Sequence, residues 1–410
     1  MKFNTMKMED ALDALIDYRG KTPKKSKTGI MTLSAKSVKN NHIDYSQCYF
    51  ISEEEYEKFM VRGFPKKGDI LLTTEAPLGL VARLDRNDVA IAQRLLTLRG
   101  KENVLDNDYL LYYLQSPIGQ ASLKARETGT TVTGIKQAEF RKIEIEFPDY
   151  EVQKKVSGIL RVIDQKIELN NAINNNLLEQ IKTICTAWLS DYKPFGGVMP
   201  SDWVETPLSD IAEFISGYSY KGTELTDSTI AMATIRNFDR KGGFKLDGYK
   251  EIIPSSKLKE SQHAELFDTL VAHTDLTQNA EVIGNAEPVM SKSGYDDIVF
   301  SMDLVKVLPK KNGVSKFLIA AILQDKKFKA HCLGYVNGTT VLHLSKKALP
   351  EYKLFLPSDF STLKPLDEVV TALYKQVSSN ISENTYLEEL RGSLLPKLMS
   401  GELDISDIDL

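Results

Sequence analysis

The 410-residue sequence predicts an α+β protein of two similar domains, each with a β-rich mixed core and each followed by a long helix. Three observations lead there: motifs that recur in order about 200 residues apart, two heptad patterns, and a Pro/Gly-rich break between the halves. The helices are expected to pair as an antiparallel coiled coil about a pseudo-twofold axis. The expected segments are a first domain, the central helix, a second domain, and the last helix with its tail: 1–150, 151–190, 191–358 and 359–410.

The internal repeat is the main observation. The motif Gly129-Thr130-Thr131-Val132 recurs 209 residues later as Gly338-Thr339-Thr340-Val341. The starts of the halves, ALDALIDYRGK from Ala11 and IAEFISGYSYK from Ile211, align 200 residues apart. Because the matches keep chain order and nearly constant spacing, duplication explains them better than chance. Loop insertions of about ten residues in the second half account for the drift in spacing.

Each half is expected to contain the same elements. A helical start precedes short β-type runs such as GDILLTT, then one helix near 109–120 or 316–329, a turn rich in Gly and Thr, and a strand that ends at a proline. Residues 191–202, DYKPFGGVMPSD, separate the halves because Pro and Gly interrupt helix and strand alike.

The long helices carry heptad patterns, which are typical of coiled coils. The first pattern runs along two rows: Val156, Ile163, Asn170, Leu177 and Ile184, and Leu160, Ile167, Asn174 and Ile181. The second contains Val370, Leu373, Val377, Asn380, Asn384, Leu387, Arg391 and Leu394. Both seams are interrupted by an Asn pair at the same place, 210 residues apart, and core Asn fixes register at a cost in stability. The alternative is that each helix packs only on its own domain, with the Asn residues facing solvent.

Helix length then predicts a spacing. About 29 residues at roughly 1.5 Å each make a rod of roughly 43 Å. Antiparallel packing would bring the Asn pairs together at the crossing and hold the two domains about one DNA turn apart, like the 34–36 Å half-site spacing of dimeric readers. Non-identical domains then predict a target of two different half-sites separated by a spacer.

Composition leaves the partner open. The chain has 52 Lys+Arg against 56 Asp+Glu, for a net charge of −4, yet residues 19–27, RGKTPKKSK, hold five basic residues and no acid. Three scattered cysteines argue against a zinc site and favour a reducing cytoplasm. The start lacks the apolar run of a signal peptide, and no apolar run is long enough to span a membrane.

Catalytic signatures are missing from the sequence. It contains no nucleotide-binding glycine loop, HExxH or Ser/His/Asp signature, and its five histidines are scattered. The acids Asp69 with Glu75 and Asp268 with Asp275 resemble part of a metal nuclease site, but no lysine pattern completes it. We therefore expect a chain without catalytic residues or a bound metal.

The sequence resembles the specificity (S) subunit of Type I restriction–modification systems over nearly its whole length. The resemblance rests on the order, repeated twice, of motifs of which none is diagnostic alone: ALDALIDYRGKTP and DWVETPLSDIAEFISG, GDILLTTEAPLG, the Gly-Thr-Thr turn before FPDYEVQKKVSGIL, IDQKIELNNAINNNLLEQ and LEELRGSLLPKLMSGEL. The second half departs from the pattern, since LPSDFSTLKPLDEVV replaces the acidic-Gln start of the first helix.

The resemblance implies a non-catalytic, cytoplasmic subunit with two target recognition domains, each reading one half of a bipartite asymmetric sequence in double-stranded DNA. The helices would fix the spacer and dock two methyltransferase subunits, through which restriction subunits join. S-adenosylmethionine and ATP with Mg would belong to those partners, and this chain would hold no cofactor. The main alternative is a coiled-coil scaffold with two protein-binding modules; a single-chain nuclease or methyltransferase comes third.

The candidate DNA contacts are polar, basic and aromatic residues at matching places in the halves, since such side chains read base edges and hold phosphates. They are Tyr18, Arg19, Lys21, Lys24, Lys25, Thr130, Thr131 and Lys136 in the first half, and Tyr218, Tyr220, Lys221, Thr339, Thr340 and His343 in the second.

Overall fold

The computed structural model describes residues 2–129 and 133–408. Its strands are β1 Asn4–Lys7, β2 Leu12–Asp17, β3 Lys25–Ser26, β4 Ile30–Leu33, β5 Tyr49–Ile51, β6 Ile70–Thr74, β7 Leu78–Arg83, β8 Val89–Ile91, β9 Leu95–Gly100, β10 Glu144–Phe147, β11 Trp203–Pro207, β12 Ala212–Ser216, β13 Ile230–Ala233, β14 Lys250–Glu251, β15 Thr269–Ala272, β16 Thr274–Asp275, β17 Ala286–Pro288, β18 Asp297–Phe300, β19 Leu304–Pro309, β20 Val336–Asn337, β21 Leu342–Leu344 and β22 Lys353–Pro357. Its α-helices are α1 Met8–Ala11, α2 Glu53–Phe59, α3 Asn107–Gln115, α4 Pro117–Ala125, α5 Gln137–Arg141, α6 Tyr150–Leu189, α7 Leu208–Ile211, α8 Lys316–Leu323, α9 Lys326–Leu333, α10 Ala348–Glu351 and α11 Lys364–Ser400.

The chain forms two compact units. Unit 1 contains residues 1–166 with 387–410. Its main sheet has the order β2-β9-β6-β7, and a second sheet, β3-β5-β4-β8, joins β4 to β8 in parallel. Strand β6 is buried along its whole length, and α3 covers the main sheet with residues such as Tyr109 and Leu110. These apolar strands and the helix over them form the core of the unit.

Unit 2 contains residues 167–386. Its main sheet has the order β12-β19-β15-β17, and a second sheet, β14-β13-β18, joins β13 to β18 in parallel. Helix α8 is buried along most of its length within the core of this unit. The matching strand orders within the two units confirm the predicted two-half organisation and the α+β class.

Two local predictions were wrong. The predicted helical start is one short turn, α1, followed by strand β2, because residues 12–17 pair with β9 along the edge of the main sheet. The single helix predicted near 109–120 is two helices, because Ser116 ends α3 and caps α4, which begins at Pro117. Its counterpart near 316–329 is likewise split, and Asp325 caps α9.

The long helices exceed the predicted 29 residues. Helix α6 has 40 residues and α11 has 37. Each contributes residues to both units, since the unit limits fall at 166/167 and 386/387. The segment limits at 150, 190 and 358 stay a prediction.

The predicted asparagine layer lies within unit 2. Asn170 donates from Nδ2 to Oδ1 of Asn384 at 2.9 Å, and Asn380 donates from Nδ2 to Oδ1 of Asn174 at 2.8 Å. Partner numbers fall as helix numbers rise, so α6 and α11 run antiparallel here. All four side chains are at most 7% exposed. The antiparallel prediction is confirmed, and the alternative with solvent-facing Asn residues is wrong.

Candidate nucleic-acid interface

In unit 1, one end of the main sheet meets the hairpin that is closed by the pairing of Thr128 with Gly134. Glu75, directly after β6, pairs with Gly134, and Ile135 donates its backbone N–H to Thr74 O at 2.9 Å. Thr74 in turn donates to the carbonyl of Arg94, just before β9, at 3.1 Å. The fold thereby places Glu75, Arg94 and the hairpin side by side; we call this the unit 1 edge.

Two arginines converge on the unit 1 edge. Oε1 of Glu75 lies 2.7 Å from Nε of Arg94, and Oε2 lies 3.7 Å from Nη2 of Arg19. Arg19 also donates to Ile135 O at 3.3 Å. The arginine side chains are 53% and 45% exposed, whereas Glu75 is 19% exposed. One sheltered carboxylate therefore orients two exposed cations, a surface suited to nucleic-acid acceptors.

The other basic candidates of unit 1 are exposed but not part of this contact network. Lys24 donates its backbone N–H to Glu55, and Nζ of Lys25 lies 4.7 Å from the ring centre of Tyr49. Lys21 and Lys136 are exposed at the turn after β2 and at the start of α5. Thr130 and Thr131 lie outside the described residues.

Tyr18 and Tyr218 are core residues. Tyr18 is fully buried, stacks on Phe59 with ring centres 4.8 Å apart, and donates its hydroxyl to Gly63 O at 3.0 Å. Burial raises the pKa of Tyr18. Tyr218 is 2% exposed and binds Ser255 through its hydroxyl. Both predicted contacts are therefore core side chains in this structure, and their contact with DNA stays a prediction.

Unit 2 has the same backbone arrangement, which we call the unit 2 edge. Thr274 pairs with His343, and Leu344 donates its N–H to His273 O at 2.8 Å. The backbone N–H of His273 donates to the carbonyl of Asp303 at 2.8 Å, as the backbone N–H of Thr74 does to the carbonyl of Arg94. Burial, with a smaller contribution from the nearby His343, lowers the pKa of His273. The predicted contact His343 thus lies in an exposed hairpin at this edge.

The remaining unit 2 candidates are surface residues. Thr339 and Thr340 are exposed, and Gln278 donates to Thr339 O at 2.7 Å, which ties their loop to the segment after β16. Lys221 is exposed, and its backbone N–H binds Glu224 in the turn after β12. Tyr220 is half-buried.

The chemistry of the two edges differs although their backbones match. Arg94 and Asp303 occupy one equivalent position, and Glu75 and Thr274 another. The third pair is Gly134 and His343, 209 residues apart. Arg94 and Asp303 are not among the contacts predicted from the sequence, although the repeat spacing of 209 residues aligns them too.

Three of the four acids considered for a nuclease site form ion pairs, and the fourth, Asp275, accepts the backbone N–H groups of Thr277 and Val282. The carboxylate of Asp69 accepts hydrogen bonds from Nε and Nη2 of Arg99 at 2.7 and 2.8 Å. Asp268 lies 3.6 Å from Nζ of Lys306 and 2.5 Å from Nζ of Lys316. Across residues 2–129 and 133–408, no cluster of three or more metal-binding side chains occurs. Within the same ranges, no helix is both apolar and long enough to span a membrane.

Comparison with known proteins gives the class first. Residues 3–179 match the family described as the Type I restriction modification DNA specificity domain. A solved Type I restriction-modification S subunit from M. genitalium has the same fold, with a TM-score of 0.56 at 17% identity, covering 97% of this chain and 96% of that one.

Two relatives of similar length are both specificity subunits of Type I restriction enzymes. The MjaIX specificity subunit of Methanocaldococcus jannaschii is 24% identical over 382 residues, covering 87% of this chain and 82% of the relative. The HindI specificity subunit of Haemophilus influenzae is 22% identical over 408 residues, covering 82% and 87%. Both relatives are specificity subunits of Type I restriction enzymes, and residues 3–179 of this chain match the DNA specificity domain of such systems.

Proposed function

We propose that the chain reads a bipartite, asymmetric sequence in double-stranded DNA, one half-site per unit. The observation that carries this proposal is the pair of edges with equivalent backbones and different side chains. A duplicated reader with identical edges would recognise the same half-site twice. Here Arg94 stands where the second edge has Asp303, so the two half-sites differ.

The long helices would set the distance between the half-sites. Forty helical residues span about 60 Å, more than one turn of DNA. The buried hydrogen bonds from Asn170 to Asn384 and from Asn380 to Asn174 favour a single register of α6 against α11. A fixed register gives a fixed spacer, which supports the bipartite proposal.

The helices would also dock two methyltransferase subunits, which in turn bring restriction subunits. Leu169 and Ile173, one helical turn apart on α6, are exposed although large and apolar, and Tyr386 on α11 is 63% exposed. Exposed apolar groups of this kind on a paired helix mark protein interfaces. S-adenosylmethionine and ATP with Mg would bind those partners.

Duplex binding by the complex tests the proposal. The complex with its methyltransferase subunits should bind specific duplex with an affinity that falls steeply with salt, because phosphate contacts release counterions. Nuclease footprints should show two protected half-sites around a spacer. A flat salt dependence would favour the protein-binding scaffold instead, and one continuous short footprint would rule out a bipartite target.

A further inference from the structure

We infer that Arg94 and Asp303 are the specificity-determining residues of equivalent base-reading positions, Arg94 for guanine and Asp303 for cytosine. This rests on the proposed function and names the chemistry of each edge. The two residues hold the same place in the fold: the carbonyl of Arg94 accepts the backbone N–H of Thr74, the last residue of β6, at 3.1 Å, and the carbonyl of Asp303 accepts that of His273, which follows β15, at 2.8 Å. Matching backbone hydrogen bonds that carry opposite side-chain charges fit a duplicated reader with two different targets.

The backbone of Arg94 supports a side-chain role. Its φ is +70°, in the left-handed region that a long side chain occupies at a cost and that glycine occupies freely. Asp303 is not among the described residues with positive φ. An arginine in this strained conformation at an exposed position points to a role for its guanidinium.

Glu75 prepares Arg94 for a planar acceptor pair. The carboxylate lies 2.7 Å from Nε, on the inner edge of the guanidinium. Glu75 is the one ion-pair partner of Arg94 among the described residues, and the Arg94 side chain is 53% exposed, so its guanidinium can donate to a further acceptor. Two N–H donors in a fixed plane match O6 and N7 of guanine in the major groove.

Neighbouring hydroxyl groups orient the carboxylate of Asp303, which would accept a hydrogen bond from a base where Arg94 would donate one. Thr274 donates to Oδ1 of Asp303 at 3.0 Å, and Ser301 lies 3.5 Å from Oδ2. A carboxylate offers about four acceptor positions, so it still accepts another donor. The N4 amino group of cytosine is the base donor that Asp accepts in the major groove.

The test maps methylated sites for the complete complex carrying Arg94→Gln, Arg94→Gly or Asp303→Asn. Each Arg94 variant should lose preference for guanine at one position of one half-site, by roughly 5- to 100-fold, with the other half-site unchanged. Asp303→Asn should relax one position of the opposite half-site. Arg86→Gln is the control, because Arg86 pairs with Asp88 away from the edge and should change neither half-site.

Two controls separate the possible failures. Arg94→Gly relieves the positive φ, so its melting temperature should not fall, and lost guanine preference then reports reading and not folding. If wild type gives a bipartite motif and the Arg94 variants retain both halves unchanged, the inference is overturned while the proposed function stands. A uniform fall at all sites would show a phosphate contact and overturn it as well. If wild type gives no bipartite motif, the proposed function itself fails.

Discussion

Asn170 donates a hydrogen bond to Asn384, and the residue equivalent to Asn170 in the repeat, Asn380, donates the matching bond to Asn174. Donors and acceptors are thus exchanged by the same 210-residue offset that relates the halves. The hydrogen bonds of the layer therefore have a local twofold relation within unit 2. Further hydrogen bonds, from Asn170 to Glu383 and from Asn384 to Asn171, connect the layer to neighbouring side chains on the two helices.

Breaking this layer should cost stability. Asn384→Ala leaves the buried amide of Asn170 without one partner, and we expect a loss of about 1–3 kcal/mol in unfolding free energy. Asn176→Ala, at an exposed position of α6, should cost less than about 0.5 kcal/mol. Urea denaturation measures both. Equal losses for the two variants would show that the layer has no special role.

An ion pair in unit 1 should be more costly to break than a surface pair. Nε of Arg391 lies 2.8 Å from Oδ1 of the largely buried Asp164, which also accepts from Tyr112 at 2.8 Å. Arg391→Ala leaves a buried charge uncompensated, and we expect a loss of about 3–5 kcal/mol at pH 8.

The pH dependence of that loss provides a second readout. Burial raises the pKa of Asp164, and removal of Arg391 raises it further, because the arginine favours the charged form. The deficit of Arg391→Ala should therefore shrink as pH falls from 8 to 5. Adding Asp164→Asn should recover part of the loss at pH 8. A deficit that is constant with pH would contradict this explanation.

Glu287 should make unit 2 less stable as pH rises. Burial raises the pKa of Glu287 from 4.5 to about 7, although Gly243, Lys182 and Gln324 each favour its charged form. The folded state holds this proton more tightly than the unfolded state does. The resulting contribution to stability is complete below pH 4.5 and is lost as pH rises through about 7.

Glu287→Gln should remove this dependence. At pH 8 the variant should be more stable than wild type, by an amount on the order of 3 kcal/mol, and at pH 4 the two should be alike. Denaturant midpoints across this pH range measure the difference. An identical pH profile for both proteins would mean that Glu287 does not titrate in this window.

Arg19 is the sequence-predicted contact that the structure places best, at an exposed position against the hairpin. Arg19→Ala should weaken duplex binding at low salt and reduce the slope of log affinity against log salt by about one. Lys58→Ala is a matched control, because Lys58 is exposed and pairs with Glu54 on α2. Unchanged affinity and slope for Arg19→Ala would remove Arg19 from the interface.

The repeat made the duplicated fold and the asparagine layer predictable, because both depend on spacing that survives in the sequence. Parallel packing would align the Asn pairs as well, so the antiparallel sense was predicted from the compact connection through a folded second domain. Residues 12–17 were misassigned because their pairing with β9 is a contact distant in sequence. Arg94 was missed because a left-handed backbone and a carboxylate 19 residues away have no local signature. The burial of Tyr18 could not be predicted from the sequence, because an aligned aromatic residue is equally consistent with the core and the surface.

The most direct test of the proposed bipartite target is to map the sites that the complete complex methylates. We expect one asymmetric motif, with two different short half-sites separated by a constant number of unspecified base pairs, because the edges carry different side chains and the asparagine layer favours one register of α6 against α11. A single continuous motif, two identical half-sites, or a spacer of variable length would contradict it.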